Sequence, residues 1–167
     1  TGSADLVVAT DGDAKALDLL TQNVASNLKA PSSGRLITKR LEWGNEDDIE
    51  SVKELNGKGF DVIIGTDVTY VREAISPLFQ TAKELIAASQ ENEEDRRPAL
   101  ILCHLPRRVD EPCILAAASE YGFKLVDRWP KQNTTSSLES IISSWFPEDR
   151  YEDYFPNKAL SIMYFTT

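Results

Sequence analysis

The sequence predicts an α/β domain on a largely parallel sheet, a Rossmann-like arrangement with helices on both faces. Three observations predict it. The runs Leu6-Val7-Val8-Ala9-Thr10-Asp11 and Val62-Ile63-Ile64-Gly65-Thr66-Asp67 are apolar without polar alternation, the pattern of strands buried on both faces of a parallel sheet. Strand-like and helix-like segments alternate as far as Trp129, which calls for right-handed crossovers. Both apolar runs also end on an aspartate, at the carboxyl edge where ligands of such sheets bind.

Each element follows from its residues. After the first strand, Asp13 caps a helix over 14–28 whose Leu17, Leu20, Val24 and Leu28 share one face. Pro31-Ser32-Ser33-Gly34 ends it, and a strand over 36–41 follows, its Lys39 and Arg40 placing it near a sheet edge. Ile49, Val52 and Leu55 carry a helix over 46–55, and Asn56-Gly57-Lys58-Gly59 turns into the second apolar strand, 60–66. Ser76-Pro77 opens a helix with Leu78, Phe79, Ala82, Leu85 and Ile86 on its buried face. The polar run 90–97 reads as a solvated loop. A third buried strand spans 99–104, and Asp110-Glu111-Pro112 opens a helix to Tyr121 that stops at Gly122. Strands over 123–129 and 159–165 complete the set. With no clear helix between these two, the last strand is free to run antiparallel. The aromatic stretch Trp145, Phe146, Tyr151, Tyr154 and Phe155 is expected to pack over one end of the sheet.

Composition narrows the function classes. The 167 residues amount to one domain, 41% hydrophobic and with a formal charge of −9, which disfavours a phosphate-binding surface made of clustered Lys and Arg. Cys103 and Cys113, the only cysteines, read as free thiols of a reducing compartment, cytoplasmic or nuclear. One histidine and no Cys/His cluster give zinc no support. No apolar run approaches the ~20 residues of a membrane span. Nothing ahead of Asp5 supplies the glycine-rich loop that usually opens a nucleotide site, so the chain reads as a partial domain, 1–167, from its second strand onward.

The strand ends carry the chemistry. Asp11, between a strand and a helix, has the position from which a carboxylate accepts both hydroxyls of an adenosyl ribose, and Gly12 lets a ligand approach the backbone; capping of the helix is the alternative. Leu41-Glu42-Trp43-Gly44 ends the next strand, where Trp43 suits an adenine face and Glu42 its exocyclic amine, unless Trp43 only covers the sheet edge. In Asp67-Val68-Thr69-Tyr70, Asp67 projects toward a reacting centre, and Tyr70 offers a ring face and a hydroxyl to a polar or cationic nucleophile. His104 reads as a hydrogen-bonded structural residue rather than a base. Arg107 and Arg108 read as solvated, or as partners for a carboxylate or phosphate.

Taken together, Val8-Ala9-Thr10-Asp11-Gly12-Asp13, Leu41-Glu42-Trp43-Gly44 and Asp61-Val62-Ile63-Ile64-Gly65-Thr66-Asp67-Val68-Thr69-Tyr70 resemble the lysine methyltransferase-like branch (methyltransferase family 16) of the class I S-adenosylmethionine-dependent methyltransferases. The resemblance runs from about Leu6 to Trp129. It implies the sheet order 3-2-1-4-5-7-6 with strand 7 antiparallel, S-adenosylmethionine as cofactor, and methylation of a protein side-chain amine. It further implies Asp11 at the cofactor ribose with Gly12 beside it, Glu42 and Trp43 at the adenine, and Thr66 and Asp67 by the methionine moiety. Asp67 and Tyr70 match the family's catalytic pair next to the substrate channel. The glycine-rich first motif of the family is absent from the chain. More narrowly, the chain resembles the C-terminal domain of plant methyltransferase-like proteins, fused behind a relative of the tRNA 3-methylcytidine methyltransferases. The acidic charge favours a protein acceptor over tRNA.

Other classes remain open at this point: a phospho-receiver domain, which shares the doubly wound fold but would carry a lysine where His104-Leu105-Pro106 stands, and a non-catalytic module binding through 145–155. A nicotinamide dehydrogenase would need a proton-relay dyad that the sequence lacks.

Overall fold

The computed structural model describes residues 4–27, 35–88, 97–130, 140–145 and 160–167. The chain divides into two compact units, Thr1–Gly57 and Lys58–Thr167.

In the first unit β1 (Leu6–Asp11) and β2 (Arg35–Arg40) pair in parallel, Leu6 opposite Arg35 and Asp11 opposite Arg40. The connection between them contains α1 (Ala14–Asn27), which packs on both strands and reaches β2 through a Thr21–Thr38 hydroxyl bond of 3.0 Å. Asp13 accepts from the Ala16 N–H at 2.9 Å, so the expected cap is there. Leu28, the last expected apolar position, lies outside the described residues. Helix α2 (Glu46–Lys53) is capped by the Asn45 side chain and buries Ile49 and Val52. It is shorter than its periodicity predicts, because the Leu55 N–H turns back to the Val52 carbonyl in a tighter closing turn.

The second unit has a four-stranded sheet in the order β3-β4-β6-β5, from β3 (Val62–Thr66), β4 (Ala99–His104), β5 (Lys124–Trp129) and β6 (Ser161–Thr166). β3 and β4 are parallel, and β6 runs antiparallel to both of its neighbours. The antiparallel last strand is therefore as expected. Numbered as in the implied family order, the two sheets are the runs 3-2 and 4-5-7-6. A 3-10 turn, Arg72–Ala74, leads into α3 (Ile75–Leu85), and Asp110 caps α4 (Glu111–Glu120). Phe79 is wholly buried between the rings of Phe123 and Phe165, at 5.7 and 5.8 Å. Around it Leu100, Leu102, Ile114 and Met163 form a core drawn from sheet and helices. Arg128 bonds Glu111 at 2.6 Å, tying β5 to α4.

Two expectations are corrected. Ile86 leaves α3 and bridges Phe60, with Phe60 N–H donating to Leu85 and Ala87 N–H to Phe60; a long-range pairing overrides the helical period. Neither apolar strand is buried on both faces. Val7 is exposed, and Val62 and Ile64 stand 51% and 69% exposed. Alternate residues of a strand face opposite ways, and only the Ile63–Gly65 face of β3 is covered. Of the aromatic stretch, Trp145 lies 6.1 Å from the Tyr164 ring; Phe146, Tyr151, Tyr154 and Phe155 lie outside the described residues.

Candidate active-site residues

In the first unit the parallel register brings the end of β1 and the end of β2 to one edge. Asp11 closes β1, and its carbonyl accepts from Leu41 N–H at 3.0 Å. One carboxylate oxygen of Asp11 accepts from Asp13 N–H at 2.9 Å, which fixes the side chain and leaves the second oxygen to accept from hydroxyl groups. Gly12 faces the Leu41–Glu42 backbone; a Cβ there would lie 3.4 Å from Glu42 Cα. Glu42 is exposed and Trp43 partly so. The Glu42 carboxylate accepts from Arg40 at 2.6 Å, and the same guanidinium makes a two-pronged contact with Asp48 at 2.8 and 2.9 Å. Asp48 also accepts from Glu42 N–H at 2.9 Å. Arg40 and Asp48 thus set the direction of Glu42. Sequence reading took Arg40 only as a sign of an edge strand, and the Asn45-x-x-Asp48 capping spacing was the available signal for Asp48.

In the second unit Thr66 and Asp67 end β3, and Asp67 N–H donates to Cys103 O on β4 at 3.0 Å. Asp67 holds a left-handed backbone, φ 54°, a conformation that aspartate tolerates better than most residues and that gathers at functional sites. Residues 67–70 form no regular structure. Asp67 and Val68 are partly exposed. Thr69 is 2% exposed, whereas Tyr70 is 48% exposed. Val68 sits over Gly65, where a Cβ would come within 2.8 Å of the valine Cγ2 and 2.9 Å of Leu102 Cδ2. A side chain at position 65 would have to push one of these two aside.

Beneath the loop, Thr69 Oγ1 and His104 Nδ1 are 2.7 Å apart. His104 is therefore a hydrogen-bonded structural residue, as its sequence context indicated. Burial pushes its pKa down from the ordinary value, with Glu111 and Asp67 pulling the other way. Burial likewise raises the Cys103 thiol, with Asp67 adding to the effect, and keeps it protonated. Arg107 reaches Asp67 at 3.3 Å with both side chains largely exposed. An ion pair this open contributes about 1 kcal/mol or less, and it leaves Asp67 accessible. Among the described residues no group of His, Cys, Asp and Glu could hold a metal ion.

A family model described as "Lysine methyltransferase" matches residues 2–114, more than half of the sequence. The chain belongs to the lysine methyltransferase family. All seven site residues named from the sequence fall inside that match. A stretch of 70 residues is 31% identical to the protein N-lysine methyltransferase METTL21A of Mus musculus, covering 42% of this chain and 30% of that protein. The chain thus matches under a third of the length of that relative. Membership makes the Rossmann-like reading of the two sheets the right one and removes the phospho-receiver alternative.

Proposed function

We propose that the full-length protein is an S-adenosylmethionine-dependent methyltransferase acting on a side-chain amine of a protein, in the cytoplasm. The observation that carries this is the Asp67-Val68-Thr69-Tyr70 loop, inside the family match, with Asp67 accessible and Tyr70 exposed at the carboxyl end of β3. The mouse relative's name supports lysine as the acceptor. The two free thiols, Cys103 and Cys113, favour a reducing compartment.

Each unit by itself holds residues suited to part of the cofactor. In the first, Asp11, anchored on one oxygen, would take the ribose with Gly12 at its side, and Glu42, steered by Arg40, and Trp43 would take the adenine; in the second, Thr66 and Asp67 would border the methionine end. S-adenosylmethionine supplies an already activated methyl group, so the protein contributes orientation and electrostatics. The acceptor amine must be neutral to attack. Tyr70 gives it a ring face and a hydroxyl acceptor, and burial against the ring favours the uncharged form. Asp67 orients the amine and takes up its charge when it is protonated, a role in which Arg107 is the resident counter-ion.

We further read the chain as the C-terminal domain of a plant protein fused behind a relative of the tRNA 3-methylcytidine methyltransferases; the acidic charge of −9 favours protein over tRNA as this domain's own acceptor. A transfer assay on the full-length protein, with radiolabelled S-adenosylmethionine and separate protein and tRNA fractions, tests both statements. Label in protein that is lost after lysine-blocking chemistry is the expected result. Label in tRNA alone would overturn the acceptor class.

A further inference from the structure

The 67–70 loop carries the two residues assigned to the acceptor, yet little holds it. Among the described residues its backbone joins the sheet through Asp67 N–H, which donates to Cys103 O, and Val68 rests on Gly65. Beside the open Asp67–Arg107 ion pair, the buried side-chain anchor is the Thr69–His104 pair, 2.7 Å apart and 2% and 1% exposed. Burying two polar side chains costs free energy that two apolar ones of similar size would not. What the polar pair adds is direction: a hydrogen bond fixes both the height and the rotation of Thr69, which van der Waals contact does not.

Thr69 adjoins Tyr70 and stands two residues after Asp67, so holding its backbone in place limits where those two side chains start from. His104 supplies the fixed end. It terminates β4, which is paired on both sides, with β3 and with β6, so its backbone cannot follow the loop. Nδ1 of the ring is engaged by Thr69, and among the described residues Nε2 is buried with no hydrogen-bond partner.

We propose that His104 is a positioning residue for methyl transfer, acting through Thr69 to fix the loop from which Asp67 and Tyr70 meet the acceptor amine. This rests on the function proposed above. Neither tautomer is favoured by the distance: the threonine hydroxyl donates to Nδ1, or Nδ1–H donates to the hydroxyl. Asparagine at 104 can place a donor or an acceptor at the Nδ1 position, which makes it the conservative variant.

The test uses the full-length protein, S-adenosylmethionine, and the protein fraction as acceptor. Thr69→Val and His104→Leu are each expected to lower turnover on the order of tenfold or more, as misplacement of reacting groups does, with cofactor affinity by calorimetry within about twofold of wild type. The double variant is expected to be no slower than the slower single, because both remove one coupled contact. His104→Asn should recover most of the turnover. Amide hydrogen exchange of residues 67–71 should rise in Thr69→Val and return towards wild type in His104→Asn. Should His104→Leu fail to fold, Thr69→Val and His104→Asn still decide the matter. Wild-type turnover and exchange in Thr69→Val would overturn the proposal while leaving the methyltransferase reading intact. A wild-type protein that transfers no methyl group would overturn that reading, and the exchange measurement would then judge the Thr69–His104 anchor alone.

Discussion

Replacing Gly65 by alanine perturbs the site without touching any residue that meets a ligand. The new Cβ would stand 2.8 Å from Val68 Cγ2 and 2.9 Å from Leu102 Cδ2. Ordinary carbon–carbon contact lies at about 3.5–4.0 Å, so each neighbour must retreat by more than about half an ångström. Leu102 is wholly buried on the paired strand β4 and has nowhere to go. Val68 is only partly buried and belongs to the loop; it is the neighbour that gives. Gly65 does not hold a left-handed backbone, so the cost is steric. Overpacking of this kind costs about 1–3 kcal/mol, which for a domain of this size lowers the melting temperature on the order of 2–12 °C. Turnover should fall further than stability suggests, by up to about a hundredfold, because the loop displaced is the one that orients the acceptor. Urea unfolding and the transfer assay on the full-length Gly65→Ala protein measure the two effects. Val68→Ala in the same chain should restore part of both by opening room for the methyl. Unchanged stability together with unchanged turnover in Gly65→Ala would refute the idea that Val68 and Gly65 set the height of the loop.

Three further outcomes are expected. Asp11→Ala should weaken S-adenosylmethionine binding by about 1.5–3 kcal/mol, the range for hydrogen bonds to a charged group; equal affinity by calorimetry would leave Asp11 only its turn with Asp13. Tyr70→Phe should lower turnover with cofactor affinity intact, and full activity would remove the hydroxyl from the mechanism, leaving the ring. Stability should also depend on pH through His104, the only histidine. Its folded pKa lies below the ordinary value of 6.5, so in the window just below that value the unfolded chain binds a proton that the folded one does not. Stability therefore rises with pH across that window and is lost as pH falls. Urea titrations between about pH 5 and 8 should show this slope in wild type and lose its histidine component in His104→Asn.

Local features were legible in the sequence where local chemistry decides them. The strand at Ala99–His104 is a continuous apolar run and appears with its expected bounds, and Asp13 and Asp110 cap the helices that they precede. Misses occur where a helix-ending turn or a distant residue intervenes. Phe123 was expected to open β5, but its N–H donates to Ala118 O at 2.8 Å beyond Gly122, whose φ of 79° closes α4. The exposure of Val62 and Ile64 reflects which face of β3 finds a covering element, information that a run of apolar residues does not contain. In the candidate site, Asp67 and Tyr70 were named from their type, their spacing and the family resemblance. Thr69–His104 and Asp67–Arg107 were not, since they join positions 35 and 40 residues apart and appear only when β3 and β4 lie side by side. The adjacent pair Arg107-Arg108 just past a strand end was the one available hint.

The place of β6 has a consequence for how the second unit comes together. β4 and β5 do not bond each other; each bonds β6, which is made last of the three. As the chain is synthesised, β3 and β4 can pair as soon as both exist, but β5 has no ladder to join until residues 161–166 arrive. Until then the backbone edge of β4 that later pairs with β6 is an open template for any extended segment nearby. Non-local closure of this kind is slow, because the loop must be ordered before any contact repays it. A chaperone that shields a strand edge would have its work here, between the appearance of β4 and that of β6, and a chain stopped before Ser161 would lack both ladders.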